Sequence, residues 1–345
     1  MQLGFLLIRN VLWVAFFAAT LANPSANSAD SPLEPEKRYS IAIHGGAGLD
    51  PAKLTAVDRQ DQEKALRRAL AVGKKILAEG GSALDAVEKT IRDLEDEPLY
   101  NAGRGAVFNS VGKHELDAAI VDGSNHKAGA VAGLATVKNP ISLARLVMLK
   151  TDHVLLMGEG AEKFADEVQS DVMIERVPNS YFATEHRRRE WLETQQPKKP
   201  AEGASTARGY GKGTVGCVAL DQHGNLAAGT STGGLTNKKW GRVGSVPIIG
   251  AGTFADNATC AMSGTGIGEH FILNSVGFQL HAMMKFKTMP LSAAVAEMVD
   301  NVLQVDTAGI IAIDRQGNIE MRCNTPGMAR AATDATGKIV VLLDR

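Results

Sequence analysis

Two well-separated stretches of this chain carry the same pattern, and that pattern restricts the fold more than any other feature. Val218-Ala-Leu-Asp-Gln-His-Gly-Asn-Leu226 and Ile311-Ala-Ile-Asp-Arg-Gln-Gly-Asn-Ile319 each read as an apolar strand, an Asp-x-x-Gly turn and a second strand. Strands joined by so short a turn must pair antiparallel, because a parallel pair needs a crossover of a dozen or more residues. Between the two lie an apolar strand at 246–251, a second at 258–263, and helical patterns at about 267–286 and 290–303. Strands and helices come in blocks rather than in strict alternation, which predicts antiparallel sheets layered with helices, an α+β sandwich. With 345 residues the chain is long enough to bury such a core.

The first half of the chain agrees. Tyr39–His44 alternates like a strand and ends at Gly45-Gly46-Ala47-Gly48. Ala65, Leu66, Ala69, Leu70, Val72, Ile76 and Leu77 form the stripe of a helix. A second helix opens at Ser82, with Asp85 three residues on as a weak capping box, and carries Leu84, Val87, Ile91 and Leu94 at helical spacing. Residues 113–123 and 128–137 read as paired strands, and Asn139-Pro140 starts a helix with proline at its first position. Residues 184–213 hold Arg187-Arg188-Arg189 and Pro197-Lys198-Lys199-Pro200 without a core-facing period, so they read as a linker.

A net charge of -1 gives no electrostatic reason to expect nucleic acid or an anionic membrane as partner. Aromatic residues are scarce at 5%, while the 36 glycines suit tight turns and close backbone approach to a small ligand. Residues 1–29 read as an export signal: Arg9, then the apolar run Val11–Leu21, then small residues at Ala22, Ala26 and Ala29. The run is short for a membrane span, which needs roughly 20 apolar residues. A soluble exported protein, periplasmic or secreted, is therefore expected. Cys217, Cys260 and Cys323 lack metal-ligand or CxxC spacing and sit in apolar contexts, so buried free thiols are expected ahead of a disulfide framework, with a single bridge as the alternative.

The chemistry centres on Thr214. The run Gly209-Tyr-Gly-Lys-Gly-Thr-Val-Gly-Cys-Val-Ala-Leu220 passes from the polar linker straight into a strand, with the hydroxyl residue at the junction. This layout fits a chain that cuts itself before Thr214, whose freed α-amino group then serves as the base for its own hydroxyl. A threonine that simply opens a strand fits the same residues. Thr230-Ser-Thr-Gly-Gly234 ends the strand that a hairpin at Asp221–Gly224 would bring beside Thr214. Arg242, between Gly241 and Gly244, suits a bidentate clamp on a substrate carboxylate or a surface loop. Ser263-Gly-Thr-Gly-Ile-Gly-Glu269 runs from strand to helix and suits an oxyanion site or a plain turn. Asn101, in Tyr100-Asn-Ala-Gly-Arg-Gly105, suits a substrate contact or a structural turn.

These runs, with His44-Gly-Gly-Ala-Gly48, Tyr100–Phe108, Glu115-Leu-Asp-Ala-Ala119, Lys127–Gly133, Gly213-Thr-Val-Gly216, Gly241-Arg-Val-Gly244, Gly250-Ala-Gly252 and Thr265-Gly-Ile-Gly-Glu269, together resemble the isoaspartyl peptidase/L-asparaginase family of N-terminal threonine hydrolases. The match covers residues 40–330 apart from the linker. It implies the four-layer αββα sandwich of N-terminal nucleophile hydrolases, and cleavage between Gly213 and Thr214 into an α chain (30–213) and a β chain (214–345), assembled as (αβ)2. It implies Thr214 as nucleophile with Thr232 beside it, and Thr265 and Gly266 as oxyanion hole. Arg242 and Gly268 would hold substrate, with Asn101 positioning the Thr214 end. No cofactor is implied for the chemistry; a structural sodium ion is, on main-chain carbonyls of Leu94, Glu95, Glu97, Tyr100, Ala102 and Arg104. Ser245 departs from the family, which has an aspartate there for the substrate's ammonium group. The implied activity is hydrolysis of β-aspartyl dipeptides and L-asparagine to aspartate. The alternatives are a glycosylasparaginase-type amidase, whose Gly-Asp-Gly-Asp run is replaced here by Gly264–Glu269, and a non-catalytic periplasmic amino-acid-binding protein.

Overall fold

The computed structural model describes residues 38–170, 174–196 and 213–345. The expected leader, and residues 197–212 of the expected linker, lie outside them. The chain opens with strand β1 (Ser40–Ala47), then helices α1 (Ala56–Ala78) and α2 (Ala83–Glu95). Strands β2 (Leu116–Asp122) and β3 (Lys127–Leu134) follow, then α3 (Pro140–Lys150), the short β4 (Leu155–Met157), α4 (Gly158–Glu167) and α5 (Glu185–Gln195). The second half holds β5 (Val215–Leu220), β6 (Leu226–Thr232), β7 (Thr253–Ala255) and β8 (Cys260–Gly266). Helices α6 (Gly268–Leu273), α7 (Val276–Lys287) and α8 (Leu291–Ala296) precede β9 (Ala308–Asp314), β10 (Ile319–Cys323), β11 (Met328–Asp334) and β12 (Ile339–Leu342).

The strands form an eight-stranded sheet in the order β12-β11-β1-β5-β6-β2-β3-β4 and a four-stranded sheet in the order β10-β9-β8-β7. Among them only β3 and β4 pair parallel. The two patterned hairpins are β5–β6 and β9–β10, one in each sheet. Each turn is closed by its aspartate. Asp221 Oδ1 accepts from the backbone of His223 and Asn225, and Asp314 Oδ1 from Gln316 and Asn318. A third turn of this kind, Asp334–Gly337, joins β11 to β12.

Helices α1, α2 and α3 pack on the larger sheet, and α7 and α8 on the smaller one; β1, β5 and β6 touch strands of the smaller sheet. Alternation along β5 and β6 sorts the side chains accordingly. Val215, Cys217, Ala219 and Ala227 join the core beneath the helices, while Val218 and Ala228 join the core between the sheets. The helix start expected at Ser82 forms, and α1 begins at a cap of its own. Thr55 closes a capping box on α1, and Ser82 accepts from the backbone of Asp85 on α2. All three cysteines are buried free thiols, and burial pushes Cys260 up to about 12.

Three expectations change. Residues 246–251 form turns rather than a strand. Pro247 has no N–H to give a ladder, and Ser245 O gathers the amides of Ile248 and Gly252 instead. The helix expected over 267–286 breaks at Asn274-Ser275, where Ser275 is left-handed (φ 42°). The linker expected from residue 184 contains helix α5, with Thr184 accepting from the backbone of Arg187 as its N-cap. Its inward contacts are made by Arg187 and Trp191 rather than by aliphatic residues. The Arg187 guanidinium donates to Gly105 O (2.8 Å), and Trp191 stacks 5.6 Å from Phe108.

Candidate active site

Gly213 and Thr214 stand just before β5. Gly213 is buried with φ of +112°, a backbone conformation that L side chains rarely adopt. Gly46 lies against it so closely that a Cβ on Gly46 would collide with the Gly213 backbone. The Gly213 carbonyl accepts from the backbone N–H of Asn101 (2.8 Å). The Thr214 hydroxyl is 3.0 Å from that of Thr232, at the end of β6. The Thr232 hydroxyl also accepts from the Gly234 amide (3.0 Å). The hairpin thus brings together the two threonines that the sequence places at its open end, because Val215 pairs with Ser231.

Asn101 is fully buried, and its side chain ties loops together. Nδ2 donates to Gly234 O (2.8 Å) and Oδ1 accepts from Val107 N (3.0 Å). With its backbone N–H on the Gly213 carbonyl, Asn101 braces the Gly213–Thr214 junction. Thr265, on β8, accepts from the Ala47 amide (3.2 Å), and Gly266 follows at φ +129°. Arg242 forms a two-pronged pair with Glu269, through Nε to Oε1 (2.9 Å) and Nη2 to Oε2 (2.8 Å). The guanidinium beside Glu269 holds that carboxyl below its usual range. Gly268 lies against Arg242 and the backbone of Ser245, and the buried Ser245 packs on Gly252.

Several polar residues go beyond those singled out from sequence. His44 is fully buried; Nδ1 is 2.9 Å from Thr214 O and Nε2 is 2.9 Å from Ser263 Oγ. Burial pushes its imidazole down to about 4, so it is neutral near pH 7. On the helix side of β6, Ser231 donates to Glu95 (2.7 Å), whose Oε1 also accepts from Ile141 N (3.1 Å). Burial pushes the Glu95 carboxyl up to about 8. Lys238 is buried and donates to Glu115 O (2.9 Å). His44 had two signals in the sequence, its place at the head of the His44–Gly48 run and its position on the same side of a strand as the apolar Ala42; the Glu95 side chain had none beyond its helix.

The loop after α2 curls on Gly103 (φ +45°) and Gly105 (φ +107°), gathering the carbonyls of Glu95, Pro98 and Tyr100 against them. The Leu94, Glu95 and Glu97 carbonyls also accept the amides of Glu97, Arg104 and Tyr100 respectively. Oxygen donors are what a hard cation takes, and a carbonyl that accepts one amide keeps a second lone pair.

A hydroxyl pair therefore stands at a strand head, directly behind a glycine in an unusual conformation. The asparaginase family model matches residues 37–343. The isoaspartyl peptidase of Escherichia coli (strain K12) is 44% identical over 297 residues, 84% of this chain and 91% of that protein. The isoaspartyl peptidase/L-asparaginase of Xenopus laevis is 43% identical over 295 residues, 85% of this chain and 91% of that protein. The plant-type L-asparaginase of Pyrococcus abyssi is 42% identical over 304 residues, 85% of this chain and 95% of that protein. The chain belongs to the asparaginase family that includes the isoaspartyl peptidases.

Proposed function

We propose that the chain is a threonine amidohydrolase that releases aspartate from β-aspartyl dipeptides and L-asparagine. The observation that carries this reading is the Thr214–Thr232 hydroxyl pair directly behind Gly213. In the uncut chain Thr214 Oγ attacks the Gly213 carbonyl carbon, which the Asn101 N–H polarises. The C–N bond breaks, an ester forms on Oγ, and the Oγ proton passes to the departing Thr214 nitrogen. Water then hydrolyses the ester, leaving a Gly213 carboxylate and Thr214 as a new N-terminus. The α chain ends at Gly213 and the β chain begins at Thr214.

The freed α-amine, with a typical pKa of about 7.7–8, takes the Oγ proton as Thr214 attacks the substrate's side-chain amide carbonyl. The proton goes to the leaving ammonia or peptide amine, and water releases aspartate from the acyl-enzyme. Thr265 and Gly266 serve as the oxyanion hole, and Arg242 and Gly268 as the substrate carboxylate site, with Glu269 holding Arg242. The fold is read as a four-layer αββα sandwich, which the helix–sheet and sheet–sheet contacts support. A sodium ion on the carbonyls of the loop after α2 would brace that loop and supply no chemistry. Export and (αβ)2 assembly complete the reading. In Thr214→Ala, no aspartate should form from a β-aspartyl dipeptide; full activity in that variant would overturn the assignment.

A further inference from the structure

The ladder between β1 and β5 stops at the pair His44–Gly216, and that between β5 and β6 at Val215–Ser231. Thr214 lies beyond both. Once it is a chain terminus, nothing in the sheet fixes it, and a chain end frays unless side chains tie it down. Where the ladder ends, the side chain of His44 takes over, with Nδ1 2.9 Å from the Thr214 carbonyl oxygen. A carbonyl only accepts, so Nδ1 carries the proton. The neutral imidazole then leaves Nε2 as an acceptor.

That assignment fixes the protons of a buried chain. Ser263 Oγ, 2.9 Å from Nε2, must donate to it. Ser263 therefore accepts from Thr230 Oγ1 (2.7 Å). Thr253 Oγ1 lies 2.7 Å from Thr230 and 3.0 Å from Val246 O, next to Ser245 on the Arg242 loop, so its single proton has two places to go. His44, Ser263, Thr230 and Thr253 are all fully buried. The chain crosses between the sheets at Gly216, which pairs with His44 on one side and Thr230 on the other. A Cβ at Gly216 would collide with both Ser263 Oγ and His44 Nε2, so the glycine leaves room for the bond between them.

We propose that His44 is a positioning residue for Thr214. It holds the main-chain carbonyl of the nucleophile, and it is itself aimed by the buried hydroxyls of Ser263 and Thr230. This rests on the reading of Thr214 as the nucleophile. The bond fixes rotation of a terminal residue whose amine and hydroxyl must both meet the substrate, and a misplacement of about 1 Å at such a centre costs roughly a hundredfold in rate.

The test compares His44→Asn with His44→Gln. The asparagine amide nitrogen occupies the place of Nδ1 and still reaches the Thr214 carbonyl; the glutamine amide extends to the place of Nε2 and reaches Ser263 instead. Activity on a β-aspartyl dipeptide is measured per mole of Thr214 N-terminus, quantified by mass, alongside thermal melting. His44→Gln should lower kcat by roughly ten- to a hundredfold with KM within about threefold, and His44→Asn should recover most of that loss at a similar melting temperature. Equal kcat in the two variants, or kcat that follows melting temperature alone, would overturn the proposal. Ser263→Ala provides a second arm that keeps His44. A several-fold fall in kcat at unchanged KM is expected, and a wild-type kcat overturns the role of the hydroxyl chain. Thr214→Ala separates the two levels. If it is inactive while the His44 variants match wild type, only the positioning role falls; if it is fully active, the nucleophile assignment falls.

Discussion

Thr230 and Thr232 on one side of β6, and Ser231 between them on the other, face two different kinds of buried polar environment. Toward the second sheet, the threonines join neutral groups: hydroxyls and an imidazole that burial keeps uncharged. Toward the helices, Ser231 donates to a buried carboxyl that burial raises to about 8. The difference separates two tasks. A chain of neutral donors and acceptors can set direction without adding a charge that would compete with the Thr214 amine. A buried acid instead couples a helix start, through Ile141 N, to the strand beneath it; those bonds favour its ionised form, and burial outweighs them and keeps it protonated near pH 7.

The sharpest way to break this comparison is to remove one hydroxyl on each side. Thr232→Val should lower kcat by roughly ten- to a hundredfold, because it strips the only side chain seen bonded to the Thr214 hydroxyl among the described residues. Ser231→Ala, one residue away, should leave kcat within about threefold. Similar losses in steady-state kinetics of the two variants would mean that the faces do not differ in function.

Charge at the substrate loop is the next test. Ser245 offers no negative group to a substrate ammonium, and Arg242 beside it is paired with Glu269. Ser245→Asp should lower KM for free L-asparagine by about tenfold, the scale of one charged hydrogen bond worth roughly 1–3 kcal/mol. An unchanged or higher KM would show that the loop recognises its substrate in another way.

The smallest effect concerns stability against pH, where the two faces carry opposite signs. His44 titrates at about 4 in the fold against an ordinary 6.5. Between those values the unfolded chain binds the extra proton, so this stability is full above 6.5 and is lost as pH falls toward 4. Glu95 titrates at about 8 against an ordinary 4.5. The folded state holds the extra proton in that window, so this stability is full below 4.5 and is lost as pH rises through 8. Glu95→Gln should therefore flatten the alkaline fall in melting temperature by roughly a few degrees and leave the acid limb unchanged. An alkaline limb as steep as wild type would remove Glu95 as its cause.

Much of the architecture was legible because its signals are local. The Asp-x-x-Gly turns, the Ser82 cap and the Asn139-Pro140 helix start each declare themselves within a few residues. The Thr214–Thr232 meeting followed from the hairpin register. Helix α5 stayed hidden because its inward residues are an arginine and a tryptophan, which carry no aliphatic period. The turn-rich 246–251 segment looked like a strand because composition alone does not reveal where Ser245 O directs its bonds. The His44–Ser263–Thr230 chain draws on three strands in two sheets, so no window of sequence contains it.

The central claim is a break in the backbone that gives Thr214 its own amine. Intact-mass analysis with N-terminal sequencing of the purified, active protein tests it most directly. Two unequal fragments are expected, the smaller beginning Thr-Val-Gly-Cys, with aspartate release rising in proportion to their yield. A single unbroken chain that hydrolyses β-aspartyl amides at full rate would contradict the account.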